Sequence, residues 1–152
     1  MTEFNPHQIL EEYLQANGLN LTQQRVTLLE ILIDRQAHVT VDELLRLAQV
    51  KHPNLGLSTV YRTVKLFVNA GLATEHHFED GLSRFEYALE EEHHDHLICK
   101  TCGHIFEFEN EEIEALQEKI AAEYGLRITS HKLNIYGRCL DAENCMHRAA
   151  RP

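Results

Sequence analysis

Residues 58–88 read STVYRTVKLFVNAGLATEHHFEDGLSRFEYA, and this stretch decides the fold of the first half of the chain. Val60, Val64, Phe67 and Val68 recur at helical spacing, which predicts a helix opened by Ser58, running to about Ala70 and stopped by Gly71. The period then changes. Leu72–Phe78 and Arg84–Ala88 read as short strands joined through Glu79-Asp80-Gly81, a hairpin signal. Upstream, Gln8–Ala16 places Ile9, Tyr13 and Leu14 on one side of a helix and Glu11 and Glu12 on the other, and Asn17-Gly18 ends it. Thr22 is placed to cap a second helix carrying Val26, Leu29 and Ile33. Thr40 is placed to cap a third, with Val41, Leu44, Leu45 and Ala48 inward and Asp42 and Glu43 in the first turn, where the helix dipole favours acids. Pro53-Asn54 and Gly56 break the chain before residue 58. Helices followed by a hairpin predict a winged helix-turn-helix over residues 1–88.

Beyond it, Glu90–Glu92 offers little to bury, so residues 89–93 read as a hinge. Strands are expected near His96–Cys99 and His104–Phe108, then a helix from about Asn110 to Tyr124 closed by Gly125, then a strand from Arg127 to Tyr136. The expected class is α+β, a winged helix followed by a small α/β unit over residues 94–152. No internal repeat or low-complexity segment is present.

The 152 residues are 43% hydrophobic, a composition typical of globular chains. The apolar run around Leu28–Ile33 is interrupted by Glu30 and Asp34 and falls far short of a bilayer span. MTEFNPHQILEEYL lacks the basic-then-apolar pattern of a secretory signal, so a cytoplasmic location is expected. Four cysteines in such a chain point to metal rather than disulfides. Eleven histidines, three of them within His93–His96, push the same way, although His7 and His52 read as ordinary solvated or core residues. The formal charge of −10 opposes a generic polyanion binder. Up to Ala88 the chain holds 7 basic and 11 acidic residues (−4), and after it 7 and 13 (−6). Carboxylates that bind divalent cations would have this charge offset, which would make metal a natural switch for binding DNA.

Cys99-Lys100-Thr101-Cys102 and Cys139-x5-Cys145 are two thiolate pairs separated by the 36 residues from Gly103 to Arg138. Four thiolates with no open position suit one tetrahedral structural zinc that clamps distant segments. An iron–sulfur or rubredoxin-like centre, a redox pair and four unrelated core cysteines are the alternatives; a redox CxxC would open a helix, whereas this one joins two strands. In extended chain, His94 and His96 point away from His93 and Asp95. That implies two nitrogen- and oxygen-lined sites suited to reversible Fe²⁺, Mn²⁺, Co²⁺ or Zn²⁺. In the helix after residue 58 the outward positions are read as Thr59, Tyr61, Arg62, Thr63 and Lys65. Those types suit DNA recognition, with Arg at guanine edges, Tyr and Thr at thymine methyls and Lys at phosphate. A solvated face with two cations is the plainer alternative.

The segments LTQQR (21–25), STVYRTVKLF (58–67), FEDGLSRFE (78–86), HHDHLICKTCGHIFEFENEEIEALQ (93–117) and ITSHKLNIYGRC (128–139) together resemble the ferric uptake regulator family in order and spacing. The resemblance implies a homodimer that binds double-stranded inverted-repeat operators and represses metal-uptake genes when its regulatory ion is bound. Carried over position by position, it implies a regulatory site of His38, Glu86, His94, His96 and Glu107, and a second site of His93, Asp95, Glu114 and His131. It also implies structural zinc on Cys99, Cys102, Cys139 and Cys145, and DNA contacts from Arg25, Ser58, Thr59, Tyr61, Arg62, Thr63 and Lys65. Three positions depart from the family's habit: five residues separate Cys139 from Cys145 where two or four are common, Asn20 stands where many relatives have lysine, and His104 has no assigned role. Glu86 and Glu107 stand where peroxide sensors favour aspartate, and Arg62 where they often have asparagine, so Fe²⁺ is the expected regulatory ion, with Mn²⁺, Co²⁺ or Zn²⁺ as substitutes. A zinc- or peroxide-sensing member is the alternative within the family. A His-rich metalloenzyme is the alternative outside it, against which no general base stands apart from the ligand sets. A metal-storage protein would leave the recognition helix unexplained.

Overall fold

The computed structural model describes residues 5–88 and 94–145. The chain divides into two compact units between Glu91 and Glu92. The expected hinge, residues 89–93, lies outside the described residues, as does His93.

The first unit contains α1 (Pro6–Ala16), α2 (Gln23–Arg35), β1 (Val39–Thr40), α3 (Val41–Ala48), α4 (Leu57–Asn69), β2 (Ala73–His77) and β3 (Ser83–Tyr87). Its helix starts follow side-chain chemistry. Thr22 Oγ1 accepts from Arg25 N at the start of α2, and Thr40 forms a reciprocal capping box with Glu43 at the start of α3. A cap of this kind is worth about 1 kcal/mol. The start of α4 differs from expectation, because the helix begins at Leu57 with Gly56 as N-cap and no side-chain cap, leaving Ser58 inside the first turn. Leu10, Leu14, Leu28, Leu29, Leu32, Leu44, Val60, Val64, Phe67, Leu72 and Phe85 are buried together as one core. Each such side chain contributes roughly 1.5–3 kcal/mol by leaving water.

β1 is a finding beyond the sequence reading, since two residues carry no period. It pairs antiparallel with β3, which pairs antiparallel with β2, giving the sheet order β1-β3-β2. The hairpin turn is fixed by Gly81 in the left-handed region (φ 78°) and by Asp80, whose carboxylate accepts from Leu82 N at 3.0 Å and from Arg84 at 2.6 Å.

The second unit contains β4 (Asp95–Cys99), β5 (Ile105–Phe108), α5 (Glu111–Glu123) and β6 (Asn134–Gly137) in the sheet order β5-β4-β6. β4 runs antiparallel to β5 and parallel to β6. Asn110 caps α5 by accepting from Glu112 N and Ile113 N, and Glu111, Glu112 and Glu114 occupy the favourable first turn. The last strand is shorter than the expected Arg127–Tyr136, because only residues 134–137 lie in register with the five-residue β4 and gain ladder partners. No residue of α5 is buried, and Leu97, Phe106 and Ile135, aligned across the three strands, are exposed. No helix among the described residues is long and apolar enough to cross a membrane.

Candidate metal centres

The four cysteines converge at one end of the second sheet, and the strand register explains how. β4 and β6 run parallel with Cys99 opposite Gly137, so Cys139, two residues further on, reaches the knuckle that follows β4. The knuckle closes with Gly103 N donating to Cys99 O at 2.7 Å, Gly103 itself being left-handed (φ 76°). Thr101 Oγ1 accepts from Cys139 N at 3.2 Å and ties the two segments together. Cys99 Sγ lies 3.1 Å from Cys139 Sγ, and Cys139 Sγ lies 3.0 Å from Cys145 Sγ. Sulfur atoms of Cys99, Cys102 and Cys139 fall within 4.8 Å of one another. A hydrogen bond from the Cys102 backbone, joined by the Cys139 thiol, lowers the Cys99 thiol to about 6. Hydrogen bonding with Cys145 and Cys99 pushes Cys139 up to about 12. Crowded thiols that share protons in this way are a cluster that a soft divalent cation would deprotonate and organise.

On the same strand, alternation sorts the remaining donors. His94 and His96 fall on one face with Glu107, which is registered opposite His96 on β5. His94 Nε2 is 3.5 Å from Glu107 Oε1, the His94 and His96 rings stand edge-on at 5.1 Å, and His96 is buried. Asp95 points the other way. It is 2% exposed, with His131 Nε2 at 3.6 Å from its Oδ1, and the same His131 nitrogen lies 3.2 Å from Glu114 Oε1 on α5. A buried carboxylate beside an imidazole and a second carboxylate is a donor set suited to a divalent cation, since burial of such charge is costly unless it is compensated.

The first unit carries its own set. His38, just before β1, has Nε2 2.5 Å from Glu86 Oε2 on β3. Gln36, which caps the end of α2, is in the left-handed region (φ 44°), an unfavourable choice for a residue with a Cβ; it turns the chain from the helix toward His38 and β1. Burial alone would raise the Glu86 carboxyl, but hydrogen bonds from His38 and His76 outweigh it and hold the group well below the usual carboxylate range. Glu86 is therefore an anion inside the protein, ready to act as a ligand. His76 is a member of this cluster that the sequence reading missed. The signal was available: the turn at 78–82 sets the hairpin register, which puts His76 and Glu86 on one face.

The face of α4 is only partly as expected. Ser58, Tyr61 and Arg62 are exposed and Thr59 is half-buried. Thr63 is buried, and its hydroxyl donates to Thr59 O at 2.8 Å. The reason is helical spacing, because position 63 is three residues after Val60 and four before Phe67, on the inward side. Lys65 is half-exposed. Its ammonium is held by Glu75 of β2 and lies over the rings of Tyr61 and Phe85. Arg25, at the start of α2, donates to Asn20 O.

A profile of the Ferric uptake regulator family matches residues 16–136. The chain belongs to the ferric uptake regulator family. A Ferric uptake regulation protein of Rhizobium leguminosarum bv. viciae is 47% identical over 135 residues, 89% of this chain and 94% of that protein. Among solved structures, a zinc-bound manganese uptake regulator is 47% identical, covers 87% of this chain and 99% of its own, and superposes with a TM-score of 0.70. The Helicobacter pylori ferric uptake regulator Fur, described as having three functional metal binding sites, is 28% identical with a TM-score of 0.84, covering 93% of this chain and 96% of its own. Family membership makes this chain a metal-responsive regulator with the α+β fold of the family. Separate donor clusters among the described residues fit that membership: the thiols around Cys99, Cys102 and Cys139, the His131 set, and an imidazole–carboxylate set in each unit, one containing His38 and the other His94.

Proposed function

We propose that this chain is an Fe²⁺-dependent transcriptional repressor that binds inverted-repeat operators of metal-uptake genes as a homodimer. The observation that carries the reading is the segregation of donors, with thiols gathered at one place and imidazoles and carboxylates at others. Thiolates select zinc and hold it as structure, while the thiolate-free sets bind intermediate and hard ions reversibly. Cys99, Cys102, Cys139 and Cys145 then hold structural Zn²⁺. His38 and Glu86 from the first unit, with His94, His96 and Glu107 from the second, ligate the regulatory ion. Asp95, Glu114 and His131, with His93 outside the described residues, form the second site. The regulatory ion supplies positive charge and geometry that tie the winged helix to the dimerisation unit, setting two α4 helices at half-site spacing. In each of them Arg62 and Tyr61 reach base edges, with Ser58, Thr59 and Arg25 at the backbone. The homodimer is supported by the exposed Leu97, Phe106 and Ile135, which join Leu116 and Ile120 as apolar surface suited to a second copy.

The test is mutational. His94→Ala or His96→Ala abolishes iron-dependent operator binding while zinc content and the dimer persist, and His131→Ala has a milder effect. Loss of the dimer together with operator binding in His94→Ala would remove that residue from the regulatory role. A manganese-responsive regulator is the second reading, favoured by the zinc-bound manganese uptake regulator that is as similar in sequence as the ferric relative. Irving–Williams order prevents affinity alone from separating these ions, so reporter genes in cells grown with each metal decide between them. Repression by manganese at constant iron would select the second reading.

A further inference from the structure

Three side chains meet on one face of the first unit's sheet, and only His38 and Glu86 enter the regulatory donor set proposed above. The third is His76. Its Nε2 lies 3.3 Å from Glu86 Oε2, the same carboxylate oxygen that His38 Nε2 approaches to 2.5 Å. The register makes this a built contact rather than a chance one. Thr74 is opposite Glu86 and His76 is opposite Arg84, so His76 and Glu86 are diagonal neighbours on the same side of the β2–β3 pair. His38 reaches that side because Val39 is registered with Phe85, which directs Val39 and Phe85 to the core and leaves His38 beside Glu86.

The His76 ring is held on two sides. It stacks on Phe78, with centroids 6.1 Å apart and planes 7° from parallel, and meets the His38 ring edge-on at 4.8 Å. Phe78 is itself buried, with the Arg84 guanidinium over its ring at 5.4 Å from the centroid. An imidazole nitrogen that faces a carboxylate oxygen carries the hydrogen and donates it. A nitrogen that ligates a cation carries none. His38 therefore exchanges its contact with Glu86 for the cation, whereas His76 can keep its own.

We propose that His76 is a positioning residue of the regulatory site, whose Nε2–H anchors Glu86 Oε2 and fixes the carboxylate in the orientation that accepts a divalent cation beside His38. The inference rests on His38 and Glu86 being regulatory ligands. Donors of this kind, one shell behind the metal, set ligand orientation and basicity, and their loss typically weakens metal binding by roughly 10- to 100-fold.

The experiment titrates the full chain, zinc already bound to its cysteines, with Co²⁺ alone and follows the ligand-field absorption of the bound ion. His76→Phe keeps a ring to stack on Phe78 but has no donor, His76→Asn is polar but too short to reach Glu86, and His76→Gln restores a donor at reach. Co²⁺ binding is expected to weaken by roughly 10- to 100-fold in His76→Phe and His76→Asn, with band positions unchanged, and to recover in His76→Gln. Thermal melts of the Co²⁺-free proteins show which variants keep the fold, and any two folded variants decide the matter. Unchanged affinity in His76→Phe or His76→Asn, alongside loss of the site in His38→Ala, overturns the positioning role alone. Shifted bands make His76 a ligand and overturn it too. Co²⁺ binding that survives His38→Ala at full strength instead overturns the regulatory-site reading on which the inference stands.

Discussion

In the first unit the buried apolar residues run from Leu10 to Phe85 and involve every helix, whereas in the second, among the described residues, Ile98 and Cys102 are the buried apolar side chains and α5 buries none. The two units are similar in their use of a three-stranded sheet. They differ in what opposes the chain entropy of folding, roughly 1–2 kcal/mol per ordered residue. The first has a core of its own. The second has little apolar burial among the described residues, a thiol cluster and an exposed apolar face, which stabilise a fold when an ion or another surface completes them. On the proposed reading, this division would let the first unit stay folded on its own core while the second responds to what it binds.

The largest expected effect breaks the second unit. Cys99→Ser or Cys102→Ser should eliminate zinc, collapse amide protection across β4–β6 and abolish the dimer, while α1–α4 remain protected. Hydrogen exchange and sedimentation measure both parts, and a metal-free dimer with intact protection would contradict the comparison. The reverse experiment is Phe67→Ala. Removing a fully buried aromatic ring from the first core should cost about 3–5 kcal/mol there, with zinc content unchanged.

Smaller effects sharpen the account of α4. Arg62→Ala should weaken operator binding by about 1–3 kcal/mol and relax base preference, leaving metal content alone. Equal loss on operator and random duplexes would remove Arg62 from base reading. Lys65→Ala should act through the fold, lowering the melting temperature of the metal-loaded protein, because the ammonium is engaged with Glu75.

The smallest effect is on pH. Burial raises the Glu75 carboxyl, but hydrogen bonds from Lys65 and Ser83 outweigh it and leave the group below its ordinary value. A carboxylate lowered in the folded state contributes stability above its unfolded pKa, about 4.3, and loses it as pH falls through the folded value. Glu75→Gln should therefore flatten the acid side of the first unit's stability profile below about pH 4. An unchanged slope between the variants would show that the pair contributes nothing.

The long elements were legible from period and caps: α2 and α3 begin at the threonines expected to cap them, and the hairpin turns at Glu79-Asp80-Gly81. What escaped is what period cannot carry. β1 is two residues long and exists because β3 is beside it. The start of α4 lacked a side-chain cap, so Ser58 attracted an assignment that belongs to Gly56. Among candidate site residues, the separation of His94 and His96 from Asp95 followed from alternation along one strand. The burial of Thr63 did not follow from its chemistry, because helical spacing turns it inward, and the pairing of Lys65 with Glu75 on the neighbouring strand is likewise not visible in its residue type. His76 was missed for a related reason: it matters through its cross-strand neighbour, and sequence proximity does not show that neighbour.

On the proposed reading, an ion at the imidazole–carboxylate donors converts an acidic chain into a DNA-binding one. This conversion is tested most directly by anaerobic fluorescence anisotropy of a labelled inverted-repeat duplex against zinc-loaded protein titrated with Fe²⁺. Negligible binding is expected without Fe²⁺, saturable binding as it is added, reversal by a chelator that spares the cysteine-bound zinc, and no response in His96→Ala. Equal binding with and without Fe²⁺, or an unaltered response in His96→Ala, would contradict it.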